Sequence, residues 1–227
     1  MKKVITIVVC SFVLVSATSL FAGTGMKENL LPLKSNELGS YRSLHGKKLF
    51  GGSGGDAFKQ GKFVMTAGYG FPNLWKAVLV AVVNDSALNV KVIGTGPIHF
   101  RAEYAVSDGV GFGVSVNYVS AGVSYTELPY EYKFTRSSLS ILARLNFHFG
   151  TSENLDPYFG IGAGYKQATF KFSSNDPNYT GESFPGFSPF GFETTIGVRY
   201  YFTPGFGIYT ELGIAKSVIQ GGLSVAF

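Results

Sequence analysis

Eight ionisable side chains beyond residue 100 stand out because each lies among apolar or small neighbours: Arg101, Glu103, Arg136, Arg144, Lys166, Glu193, Arg199 and Glu211. Carboxylates set beside guanidinium and ammonium groups either line a path for ions or pair with one another where water is scarce. The three histidines, His45, His99 and His148, add the option of general-base catalysis. Acyl transfer or ester hydrolysis needs Ser, His and an acid within hydrogen-bond reach. His148 has Arg144 and Asn146 nearby and no serine two residues away, while Asp85 and Ser86 in "NDS" have no histidine close in sequence. Ser and Asp in such a stretch form turns first. "GGSGG" and "GIGAG" do not join a strand to a helix, so they are no phosphate cradle. No His/Asp cluster has metal-ligand spacing. The expectation is a non-enzyme with no catalytic, cofactor-binding or metal residue.

The elements that position these charges are set by a period of two. "KFVMTAGYGF" puts Phe63, Met65, Ala67, Tyr69 and Phe71 on one face. "PIHFRAEYAV", "VGFGVSVNYV" and "TRSSLSILARLNFHF" do the same, as do "YFGIGAGYKQATF", "FGFETTIGVRYYF", "FGIYTELGIAK" and "IQGGLSVAF". These are eight strand candidates, each with one apolar face and one small or polar face. All eight charges, and His99 and His148, fall on the polar face. Alternation alone does not separate lipid from water as the solvent of the apolar face. That face, however, runs the full strand length without a charge. Connections alternate between long (72–96 and 173–187) and short ("VSDG", "GTSENLDP", "TPG"). Outward aromatics recur beside the short turns or the two ends of the folded segment: Phe63, Tyr104, Phe112, Phe147, Phe149, Phe159, Tyr200, Phe202, Phe206 and Phe227. A ring of aromatics at one height is what a membrane interface selects.

Composition agrees. Glycine (30), phenylalanine (21) and tyrosine (13) are abundant and charged residues are 15% of the 227. That is too apolar for disorder and too rich in glycine for a helical bundle. The net charge of +5 is scattered rather than gathered into a stripe, which argues against nucleic acid. "MKKVITIVVCSFVLVSATSLFAG" has the layout of a secretory signal peptide, taken as residues 1–22 with cleavage after 17 to 22, an uncleaved anchor being the alternative. The single cysteine, Cys10, lies within it, so the mature chain is expected to hold no thiol. Residues 23–61 read as a flexible N-terminal extension and 62–227 as the folded domain. "WKAVLVAVV" at 75–83 is too short to span a membrane as a helix and reads as an extended hairpin or a short helix.

On the terminal alternation ending at Phe227, on "DPYFGIGAGY" at 156–165 and on "FGFETTIGVRYYF" at 190–202, the chain resembles the eight-stranded outer-membrane β-barrel proteins, a porin-like group. The resemblance covers about residues 62 to 227 and implies an all-β, eight-stranded antiparallel up-and-down transmembrane barrel. It implies outer-membrane lipid around the barrel, a Gram-negative outer membrane as location, and recognition of Phe227 by the barrel-assembly machinery. Loops 72–96 and 173–187 would face outside and offer a surface for an extracellular ligand. The expected role is structural or porin-like, a loop-based adhesin or receptor being the alternative and a lipid-modifying enzyme a further one. In a barrel of eight strands the interior is only wide enough for side chains, so the charges are expected to plug the lumen. Five basic members against three acidic ones leave an excess for an anion or a loop carboxylate to balance.

Overall fold

The computed structural model describes residues 57–82, 90–150, 152–186, 188–214 and 216–227, all within the unit Lys48–Phe227. The expected signal peptide, the extension up to residue 56, His45, Asp85 and Ser86 lie outside the described residues. In chain order the elements are β1 (Phe63–Phe71), α1 (Leu74–Val82), β2 (Lys91–Ser107), β3 (Val110–Glu127) and β4 (Tyr130–His148). They continue with β5 (Leu155–Ser174), β6 (Glu182–Pro185), β7 (Phe190–Thr203), β8 (Phe206–Ile214) and β9 (Ile219–Ala226).

Every strand pairing is antiparallel, and, β6 apart, each strand pairs with the next in sequence. β9 returns to pair with β1 from Val64↔Ala226 to Phe71↔Ile219, and β4 pairs with β5, so eight strands close into a ring. The ninth, β6, pairs only with β5 and stands outside that ring. The fold is the expected eight-stranded up-and-down barrel of the transmembrane type. Its seam is finished by Phe227, whose backbone N–H donates to Phe63 O at 2.8 Å while Phe63 N–H donates to Phe227 O at 3.1 Å. Closure leaves no unpaired edge, the condition for a sheet to sit in hydrocarbon.

Strands β2 to β5 run further than the alternation marks, while β8 stops at Ile214, short of Lys216. β2 begins at Lys91, and β3 and β4 continue as a hairpin to a tight connection at 128–129. β5 reaches Ser174, where β6 folds back on it. Of the two readings of 75–83 the helix is the one that forms. Leu, Ala, Lys and Val without Gly or Pro permit it, and Asn73 caps it: its side-chain Oδ1 accepts from Lys76 N–H at 3.0 Å. The last part of the expected flexible extension is packed rather than free. Ala57 and Phe58 are buried, and Gly61 N–H donates to Ala105 O at 2.9 Å, which folds this segment into the short-turn end of the barrel.

The alternation sorts side chains cleanly. Phe63, Tyr104, Phe112, Phe159, Tyr200, Phe202, Phe206 and Phe227 point outward near the short turns. A second set, Tyr69, Phe71, Tyr118, Tyr165, Phe190 and Phe192, points outward near the long connections. Phe63 and Phe71 are eight residues apart on β1, about 27 Å along the strand and about 21 Å along the axis of a barrel with strands tilted 35–45°. Phe192 and Phe202 on β7 are ten apart, about 34 Å and 26 Å by the same measure. Aliphatic side chains fill the space between the two sets.

Candidate functional site

The inward face of the strands builds a column of charge in three storeys. At the short-turn end, His148 on β4 lies between two carboxylates: Nδ1 is 2.6 Å from Asp156 Oδ1 and Nε2 is 2.8 Å from Glu103 Oε1. Arg199 on β7 bonds the other oxygens of the same pair, Asp156 Oδ2 at 3.2 Å and Glu103 Oε2 at closer range. Both imidazole nitrogens face acceptors, a geometry in which both donate. With that ring, two anions meet two cations and the storey is neutral. Phe58 stacks flat on His148, ring centroids 3.5 Å apart and planes within 6°, and closes the column from below.

The middle storey is centred on Arg144. Its Nη1 bonds Glu193 Oε1 at 2.8 Å, its Nη2 bonds Glu211 Oε1 at 2.8 Å and Thr195 Oγ1 at 2.7 Å, and its Nε donates to Asn146 Oδ1 at 2.7 Å. Arg101 on β2 adds an ion pair to Glu211 at 3.1 Å and approaches Glu193 at 4.0 Å. Tyr158 Oη donates to Glu211 at 2.6 Å, and Gln220 Nε2 donates to its second oxygen. Two guanidinium groups thus face two carboxylates, and all four are almost wholly buried. Buried charges are tolerable when paired and hydrogen-bonded; Arg144 is both, whereas Arg101 is paired by charge alone.

The "GIGAG" stretch has its explanation here. Gly160 and Gly162 face inward on β5, with Gly162 opposite Arg144 in register. A Cβ on Gly160 would fall on Arg144 and Asn146, 2.8 Å from the guanidinium carbon. Gly197 plays the same part on β7, where a Cβ would lie 2.6 Å from Glu211 Cγ and 2.8 Å from Tyr158 Cζ. The glycines leave the volume that the charged side chains fill. Gly197→Val is therefore expected to displace Glu211 and destabilise the barrel by about 1–3 kcal/mol, the usual effect of overpacking. The midpoint of urea unfolding checks this.

The third storey, at the long-loop end, holds Arg136, Lys166 and Lys216. Arg136 is buried with its guanidinium carbon 3.8 Å from the centre of the Trp75 ring of α1. Lys216, in the turn between β8 and β9, donates to Asn117 O at 2.6 Å and Ser138 O at 3.0 Å. Lys166 is half-buried on β5.

The structure thus brings Arg101, Glu103, Arg144, Glu193, Arg199, Glu211 and His148 into two connected storeys and sets Arg136 and Lys166 above them. It adds Asp156, which the sequence reading left in a turn, and Lys216, which that reading placed at the end of the strand candidate "FGIYTELGIAK" and which lies in the turn after β8. It also forms a chain absent from that reading: Ser217 Oγ is 3.4 Å from His99 Nε2, and His99 Nδ1 is 2.6 Å from Asn117 Oδ1. The order hydroxyl, imidazole, amide is that of a nucleophilic relay. Yet there is no room for a reacting carbonyl: even a methyl placed on Gly70 would lie 2.8 Å from His99 Nε2. Ser217, His99 and Asn117 are all buried. The chain satisfies polar groups inside the barrel, as buried polar groups require. A fluorophosphonate probe is expected to leave Ser217 unlabelled in the folded protein; mass-spectrometric detection of a Ser217 adduct would show a live nucleophile. Among the described residues no group of His, Cys, Asp and Glu is placed to hold a metal ion.

No family model and no curated protein matches the chain. Several solved structures do. The attachment invasion locus protein Ail of Yersinia pestis, in complex with the heparin analogue sucrose octasulfate, aligns over 74% of this chain and 99% of its own, at 16% identity and a TM-score of 0.43. The outer membrane protein OprG of Pseudomonas aeruginosa aligns over 76% and 99%, at 13% identity and 0.39. The N-terminal β-barrel domain of OprF from Pseudomonas aeruginosa covers 74% and 99%, at 16% identity and 0.36.

Proposed function

We propose that the protein is a non-enzymatic outer-membrane barrel of a Gram-negative cell, exported through a cleaved signal peptide and acting as a rigid, non-conducting scaffold for its external loops. The observation that carries this reading is the inversion of polarity across the wall. Phe100, Phe112, Ile141, Ile196 and Leu212 lie outward and exposed, while Arg101, Glu103, Arg144, Glu193 and Glu211 lie inside and buried. A water-soluble protein of this size would do the reverse. Two aromatic girdles bounding an apolar band match the interfaces and hydrocarbon of an outer membrane. In this reading the Phe227 seam is the end read by the barrel-assembly machinery, and the N-terminus and short turns face the periplasm.

The lumen supports a plug rather than a pore. Charge-paired storeys occupy the lumen, and Phe58 covers the lower one. Planar bilayers holding the refolded protein are expected to show no steady single-channel current; ion-size-selective steps would establish a pore.

A second reading, a loop-based adhesin or receptor, is favoured by one feature: the external hairpins are built, not merely connected. Tyr125, Tyr132 and Tyr179 pack ring to ring, with centroids 5.3 and 5.9 Å apart. Phe134, Phe172, Phe170 and Phe184 form a second cluster at 4.4 to 6.1 Å. A rigid surface lowers the entropy lost on binding. Deleting residues 173–187 separates the readings: loss of adherence by cells whose envelope stays intact assigns the loops a partner, whereas unchanged adherence leaves the scaffold role alone.

A further inference from the structure

The two lower storeys of the lumen each balance, and the third does not. Glu103 and Asp156 are matched by Arg199 and His148, and Glu193 and Glu211 by Arg101 and Arg144. Above them, no carboxylate among the described residues lies within ion-pair distance of Arg136, Lys166 or Lys216. Glu193 is the acid below them, and its oxygens are held by Arg144 at 2.8 Å and by Asn117 Nδ2 at 3.3 Å. Arg136 and Lys216 are each more than nine-tenths buried. Arg136 and Lys216, shielded from water, and the half-buried Lys166 repel one another, and a counter-charge among them lowers that cost, as does loss of the Lys216 proton.

We propose that this outer vestibule binds a soluble oxyanion of the phosphate or sulfate class, held by Arg136, Lys166 and Lys216. The donors suit it. Two of the three protons on Lys216 Nζ go to backbone carbonyls, leaving one to donate. One face of the Arg136 guanidinium is covered by Trp75, which leaves its in-plane N–H groups as donors. The three cations come from β4, β5 and the β8–β9 turn, so they approach from different directions. A tetrahedral oxyanion offers acceptors in all of them; a single carboxylate offers them in one plane. The groups face the barrel axis, with the wall between them and any bilayer, so the oxyanion arrives from solution, free or on a sugar, and not as a lipid headgroup.

Protonation adds a signature. Burial, with Arg136 and Lys166 beside it, draws Lys216 down to about 7, Glu193 on β7 opposing the shift. The other charged or titratable neighbour is His99 on β2, reached through Ser217. A bound anion favours charged Lys216, so affinity is expected to fall as pH rises through about 7.

Trp75 is the only tryptophan and lies on Arg136, which gives an internal reporter. The test uses the full chain refolded in detergent micelles, titrated with sodium sulfate against sodium chloride at equal ionic strength. Sulfate stays doubly charged across the pH range, so any pH dependence belongs to the protein. The expected result is a saturable change in Trp75 emission with sulfate and with inorganic phosphate. Lys166→Gln and Lys216→Met should each weaken it about tenfold or more, and Lys133→Gln, an exposed residue, should not. A hexose phosphate arm tells the sources apart: binding at least as tight as phosphate marks a sugar-borne group, and exclusion marks the free ion. Sulfate indistinguishable from chloride, or affinity unmoved in both variants, overturns the site. Lys166 is half-exposed, so its variant keeps the test valid should Lys216→Met misfold.

Discussion

Replacing Arg144 by Met is expected to lower the stability of the barrel by about 3–5 kcal/mol, the usual effect of stripping one partner from a buried ion pair. The guanidinium bonds Glu193, Glu211, Thr195 and Asn146 at 2.7 to 2.8 Å, and no other side chain reaches all four. Without it, the one cation left beside Glu193 among the described residues is Arg101, at 4.0 Å, with only the neutral donors Asn117 and Ser115 at 3.3 and 3.4 Å. Urea unfolding from vesicles should show a lower midpoint with an unchanged slope, because the buried surface stays the same. Adding Glu193→Gln to Arg144→Met should recover part of the loss, since it removes a stranded charge rather than another contact. A double variant no more stable than the single one would mean that packing, not charge, sets the penalty. Lys133→Gln provides the contrast: its pair with Glu131 spans 3.3 Å but both side chains are nearly half exposed, and the expected change is within about 0.5 kcal/mol.

The second large effect is on the outer face. Val114 on β3 sits between Ala102 and Ala143 and, along its own strand, between the girdle residues Phe112 and Tyr118, while Val106 lies at the short-turn end of β2. Both are exposed, Val106 the more so. Val114→Arg is expected to destabilise the folded state by about 2–4 kcal/mol and Val106→Arg by about 0–1 kcal/mol, because the penalty follows depth in hydrocarbon. In water both would fall within about 0.5 kcal/mol. Unfolding midpoints of the two variants in the same vesicles make the comparison, and equal values would deny the outer face its apolar solvent.

Much of this is legible in the sequence because a barrel of this kind reports itself through a period of two. Each strand has one solvent on one face, and parity alone sorts Arg101 and Glu103 from Phe100 and Ala102. Strand closure was readable too, since the alternation runs to Phe227 itself. The misses share a cause. Residues 120–134 extend the β3–β4 hairpin beyond the girdle, where both faces meet protein or water and the alternation of polarity fades. Asp156 stands before Pro157 and reads as a turn former, yet the strand begins at Leu155 and turns it inward to His148. Lys216 belongs to a turn, and nothing in a linear pattern tells that its side chain folds back down the lumen. The Ser217–His99 contact joins residues 118 positions apart, across the seam of the barrel, where no local spacing can show it. The second girdle went unread because it flanks long connections whose ends the alternation did not fix.

In the membrane-spanning reading, acyl chains bathe the outer wall. A single reporter tests it: Trp75→Phe combined with Val114→Trp, refolded into vesicles whose lipids carry bromine at graded depths along the chain. Blue-shifted emission, quenched by the brominated acyl chains, is the expected result. Emission at a water-like wavelength, indifferent to brominated chains, would contradict it.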